Sequence, residues 1–100
     1  MIKAATSLEQ ILISKQPVLV QFTAEWCQPC KAVTPLIESL AKIYEDRVVF
    51  LKLDVDSNRE ICDQYSIVKI PHVLIFKDGE MLTRIATPNK INLKLVLEEL

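Results

Sequence analysis

The chain has 100 residues, half of them hydrophobic and a quarter charged, with a formal net charge of −1. One hundred residues make one hydrophobic core and exclude two, so residues 1–100 are read as a single domain. A near-neutral chain without a Lys/Arg cluster excludes electrostatic capture of nucleic acid or of an anionic membrane.

The first seven residues, Met1 to Ser7, lack the apolar core of a secretory signal. Three cysteines, an odd number, also fit a secreted disulfide framework poorly. The expected compartment is therefore the reducing cytoplasm. Ser7-Leu8-Glu9-Gln10 reads as a capping box opening a short helix with Leu8, Ile11 and Leu12 on one face. Residues 17–23 are almost continuously apolar and predict a buried strand, interrupted by the amide of Gln21.

Trp26 and the pair Cys27-Gln28-Pro29-Cys30 follow that strand. From Gln28 to about Tyr44, the residues Val33, Ile37, Leu40 and Tyr44 recur at helical spacing. Pro35 falls inside this helix, where a kink is expected. Residues 47–54 suit a strand covered on both faces. Ser57-Asn58-Arg59-Glu60 reads as a second capping box, leading a helix that carries Ile61 and Tyr65. Residues 73–76 and 81–86 flank Lys77-Asp78-Gly79-Glu80, a hairpin signal because Gly79 tolerates a positive φ. Asn89 is expected to cap a last helix bearing Ile91, Leu95, Val96 and Leu100. No stretch is apolar for long enough to span a membrane as a helix.

The order is a short strand, then α-β-α-β-α-β-β-α. Strand–helix–strand units impose parallel pairing with right-handed crossovers, and the Asp-Gly hairpin adds an antiparallel edge. The expected fold class is therefore α/β, a central mixed sheet with helices on both faces. The two thiols then lie at the carboxyl end of a strand, where open α/β sheets expose their sites.

A Cys-x-x-Cys pair between strand and helix reads as a redox dithiol. The helix start offers unpaired N–H groups and the positive end of the macrodipole, both of which favour a thiolate, the nucleophilic form. Pro29 removes an N–H that would be orphaned in the first turn. The competing reading is a metal site of Cys27, Cys30, Cys62 and His72. Structural zinc takes two closely spaced ligand pairs, whereas nine residues separate Cys62 from His72 in different predicted elements, so no metal is expected. Cys62 reads as a small buried hydrophobe. His72 reads as a strand-entry residue near the site, with a ring that titrates near neutrality. Glu25, Glu98 and Glu99 read as solvated charges. Asp54 and Asp56 read as the end of a strand leading into the Ser57 cap.

With these elements in place the chain resembles the thioredoxin family. The resemblance is carried by Phe22-Thr23-Ala24-Glu25-Trp26-Cys27-Gln28-Pro29-Cys30-Lys31, by Pro35, by Asp54-Val55-Asp56, by Ile70-Pro71-His72 and by Phe76-Lys77-Asp78-Gly79-Glu80. It implies the thioredoxin fold and a protein-disulfide reductase, in which Cys27 is an exposed nucleophile and the deeper Cys30 resolves the mixed disulfide. It also implies that Trp26 shields the thiols. A cis Pro71 would bring the Ile70 backbone beside the dithiol, so that Trp26, Ile70, Pro71 and His72 form the substrate groove. No cofactor is expected to bind; electrons would come from NADPH through thioredoxin reductase. The expected partners are that reductase and disulfide-containing proteins, met by a monomer.

Two departures stand out. Gln28 replaces the family's usual glycine between the thiols, where it and Pro29 tune the redox potential. Gln21, six residues before Cys27, replaces a buried acid thought to help deprotonate the resolving thiol, and Lys52 matches the lysine that normally approaches that acid. Lys52 is then expected to act on the thiols directly, or the resolving step to rely on water or His72. The alternative reading is a client-binding, chaperone-like module of the same fold with weak redox turnover.

Overall fold

The computed structural model describes residues 3–4, 11 and 13–100. Five strands, β1 (Lys3–Ala4), β2 (Val18–Thr23), β3 (Val49–Asp54), β4 (His72–Lys77) and β5 (Glu80–Ile85), form one sheet in the order β1-β3-β2-β4-β5. The helices α1 (Gln28–Tyr44), α2 (Arg59–Gln64) and α3 (Lys90–Glu98) accompany them. β1, β3 and β2 run parallel, while β4 is antiparallel to both β2 and β5. This is the expected mixed sheet. The capping box at residues 7–10 and Leu12 lie outside the described residues, whereas Ile11 is helical and buried.

The period-2 alternation of the strands divides the core in two. On one face Leu19, Phe50, Val73 and Ile75 meet Ile37, Leu40 and Tyr44 of α1 and Leu93 and Leu97 of α3. On the other, Val20, Phe22, Leu53, Leu74 and Phe76 meet Ile61 and Cys62 of α2 and the side chain of Ile11. Each of the largest of these side chains contributes about 1.5–3 kcal/mol by leaving water. Helices therefore cover both faces, and β2 is central. Pro35 sits inside α1, where it cannot donate to the Lys31 carbonyl.

Three local readings need correction. Ser57 does not cap α2: the N-cap is Asn58, with no side-chain bond to the helix. The Asp54 carboxylate instead accepts from Ser57 N–H at 3.0 Å and from its hydroxyl at 2.8 Å. An ionised carboxylate is the stronger acceptor, so the hydroxyl serves as a donor. The buried face of α3 carries Leu93 and Leu97, while Ile91 and Leu95 are 74 % and 63 % exposed. Both pairs have i, i+4 spacing, so periodicity alone does not choose between them. Asn89 does cap this helix, exchanging hydrogen bonds with Asn92. Glu98 is not merely solvated, because its carboxylate accepts the Tyr44 hydroxyl and ties α3 to α1.

The hairpin turns on two residues, Asp78 (φ 54°) and Gly79 (φ 80°). Two consecutive left-handed residues match the right-handed strand twist, which is why Asp-Gly serves here.

Candidate active site

β2 delivers the dithiol. Val55 N–H donates to the Thr23 carbonyl at 2.9 Å, extending the ladder to the strand's end, and Cys27 N–H donates to the Ala24 carbonyl at 3.2 Å, closing a turn. That turn makes Cys27 the N-cap of α1, with φ −88° and ψ 105°. Its Sγ accepts the Cys30 N–H at 3.2 Å. Sulfur thus occupies the place of a capping oxygen, at the positive end of the helix. Pro29 stands within the first turn, where its missing N–H costs nothing.

Cys27 and Cys30 are disulfide-bonded, with Cα atoms 5.3 Å apart. Cys30 is 1 % exposed and Cys27 only 3 %, so in this state Cys27 is not the exposed residue the resemblance implies. Ala24, Val55 and Ile70 pack around the pair and close it off. Gln28 and Pro29 are exposed. Trp26 is 64 % exposed, and its indole N–H donates to Asp56 Oδ2 at 2.8 Å.

The Ile70–Pro71 peptide is cis, both residues are half-buried, and Ile70 packs against the cysteines. His72 opens β4 as read from the sequence, but its ring is not open to the groove. It is 5 % exposed, and both ring nitrogens are buried without a hydrogen bond. It pairs with Phe22 at the start of β4 and so presents no polar edge to a groove. Burial above all, and then the Arg84 cation, push its pKa below the usual imidazole value. The Lys69 backbone acts in the opposite direction but is not in hydrogen-bond geometry.

Gln21 is wholly buried beside α1. Its Nε2 donates to Thr34 Oγ1 at 2.9 Å, and Thr34 Oγ1 donates to the Cys30 carbonyl at 2.9 Å, while Gln21 Oε1 has no partner. Lys52 lies beside Gln21 in the register of β3 against β2, with its side chain exposed. An open cleft of about 910 Å³ is lined by Trp26, Lys31, Thr34, Lys52, Asp54 and Asp56 among others. A second, of about 300 Å³, is lined by Trp26, Val55, Asp56, Cys62 and Ile70 among others. Burial chiefly, with help from the Asp63 and Asp54 charges, pushes the Cys62 thiol up. Among the described residues no group of three or more His, Cys, Asp or Glu side chains is placed to hold a metal.

Thr34 was not singled out in the sequence, and Asp56 was read there only as part of a strand end, not as the partner of Trp26. Thr34 carries a signal in its i+4 spacing from Cys30, which lets a hydroxyl bond back to that carbonyl. The Trp26–Asp56 contact spans thirty positions and has no local signature.

The family model for thioredoxin matches residues 1–99. The chain belongs to the thioredoxin family. The thioredoxin of Rickettsia bellii is 50 % identical over 72 residues, which cover 72 % of this chain and 69 % of that one. A bifunctional thioredoxin reductase/thioredoxin of Mycobacterium leprae is 40 % identical over 81 residues, 81 % of this chain and 18 % of that one. The X-ray structure of Fasciola hepatica thioredoxin superposes with a TM-score of 0.90 at 30 % identity, covering 98 % of both chains. With its Cys27–Cys30 pair, this member of the family carries out dithiol–disulfide exchange as a protein-disulfide reductase. The exchange stores its electrons in the two thiols, so it needs no bound cofactor.

Proposed function

We propose that Cys27 is the nucleophile and Cys30 the resolving thiol. The observation that carries this assignment is the Cys30 N–H pointing at Cys27 Sγ from the start of α1. In the reduced protein the same donor and the helix dipole stabilise a thiolate at Cys27, not at Cys30. The Cys27 thiolate attacks a substrate disulfide, forming a mixed disulfide and expelling one substrate thiolate. Cys30 then loses its proton and attacks Cys27 Sγ, the Cys27–Cys30 bond forms, and the second substrate thiolate leaves and is protonated by solvent.

The substrate lies along Trp26, Ile70 and Pro71, pairing with the Ile70 backbone. His72 supports this groove through its place in β4 and not through its ring. Gln28 and Pro29 tune the dithiol from between the thiols, while Gln21 and Lys52 act on it from β2 and β3. Residues 1–100 act as one domain, as a monomer in the cytoplasm, with electrons from NADPH through thioredoxin reductase. The fusion of both functions in the Mycobacterium leprae protein supports that electron source. No helix among the described residues is long and apolar enough to cross a membrane. A client-binding, chaperone-like module with weak redox turnover is not favoured, since the relatives the chain matches are thioredoxins and the paired thiols are in place.

Insulin-disulfide reduction by cysteine variants tests the roles. Cys27→Ser is expected to abolish turnover, and Cys30→Ser to trap a stable adduct through Cys27. Turnover surviving in Cys27→Ser overturns the assignment.

A further inference from the structure

Thr34 joins the strand beneath the site to the turn of α1 that carries Cys30. Its hydroxyl accepts from the Gln21 amide in β2 and donates to the carbonyl of Cys30, four residues earlier in α1. Pro35 follows immediately and removes the donor to the Lys31 carbonyl, so the first helical turn is less firmly joined to the rest of α1. The turn carrying Cys30 therefore takes an anchor from the strand beneath it.

That anchor matters most when the covalent one is gone. With the Cys27–Cys30 bond closed, Cys30 is held by its partner sulfur. Once Cys27 is bonded to a substrate, nothing covalent holds Cys30 in line with the sulfur it must attack. We infer that Thr34 is a positioning residue for the resolving thiol, with Gln21 as its anchor in the sheet. The inference rests on the assignment of Cys30 as the resolver. It gives Gln21 a task that an amide performs without titrating, since its Nε2 is a donor at every working pH. The step itself is the one already written: Cys30 loses its proton, the Cys27–Cys30 bond forms, and the Cys27–substrate bond breaks.

A quench experiment tests it. Reduced protein is mixed with a peptide containing one disulfide, acid-quenched at intervals, and the Cys27–peptide adduct is quantified by mass spectrometry. In Thr34→Val, of nearly the same shape but without the hydroxyl, the adduct is expected to accumulate and to clear at least about tenfold more slowly, since small misplacements of reacting groups are costly. Thr34→Ser, which keeps the hydroxyl, is expected to restore most of the rate. Gln21→Met cuts the same link from the strand and should behave like Thr34→Val, so the test survives if Thr34→Val does not fold. Clearance at the wild-type rate in either variant overturns the inference, as does a Thr34→Ser protein as slow as Thr34→Val. Absence of a Cys27–peptide adduct in Cys30→Ser, where nothing can resolve it, overturns instead the roles of the two cysteines.

Discussion

The indole N–H of Trp26 donates to the Asp56 carboxylate across 2.8 Å, tying the residue before the dithiol to the loop after β3. The bond holds a largely exposed ring in one orientation, and that ring borders both clefts beside the site. Asp56→Ala frees the ring. At about 1 kcal/mol for such a bond, kcat/KM for protein disulfides should fall about fivefold. Reduction of a small-molecule disulfide, which needs no groove, should change less. Equal losses for both substrates would place the effect at the thiols and not at the groove.

The buried ring of His72 makes stability depend on acid. Its folded pKa is depressed, so the unfolded chain binds a proton more readily. The stabilisation is complete above the unfolded value of about 6.5 and is lost as pH falls through the lower folded value. Thermal denaturation from neutral to mildly acid pH should show Tm falling on the acid side. His72→Leu should flatten that slope and, by removing two unpaired buried nitrogens, leave neutral-pH stability unchanged or higher by about 1 kcal/mol. An unchanged acid slope in His72→Leu would assign the slope to other groups.

The strands, the helices and the position of the dithiol were legible because each rests on local chemistry. An apolar run, a 3.6-residue period, an Asp-Gly pair and the Asn89 cap each act within a few residues. What was not legible depends on partners brought together by the fold. Of the apolar residues read on the last helix, Val96 and Leu100 pack against the core and Ile91 and Leu95 do not; Leu93 and Leu97 are buried instead, because two equally spaced apolar pairs lie on α3 and the sheet chooses one. Asp54 takes both Ser57 donors, removing the cap read from Ser57 and Glu60. Burial of Cys27 follows from Ala24, Val55 and Ile70, which come from three separate segments.

Gln21 tests how far the site depends on a titrating group beneath it. Gln21→Asp places a carboxyl in a wholly buried position, where desolvation raises its pKa and the neighbouring Lys52 opposes that rise. If desolvation prevails, the variant is most stable below the unfolded carboxyl pKa of about 4 and loses stability as pH rises through the higher folded value. The pH–rate profile of disulfide reduction should gain an ionisation that the wild type lacks. Superimposable profiles would show that the chemistry at position 21 does not limit the resolving step.

The assignment of Cys27 as nucleophile is tested most directly by alkylating the reduced protein with iodoacetamide across a pH series and locating the label by mass spectrometry. Cys27 should be labelled first, with an apparent pKa below the free-cysteine value of about 8.5, because its sulfur faces the start of α1. Label arriving first at Cys30 or Cys62, or a Cys27 titration at or above the free value, would contradict it.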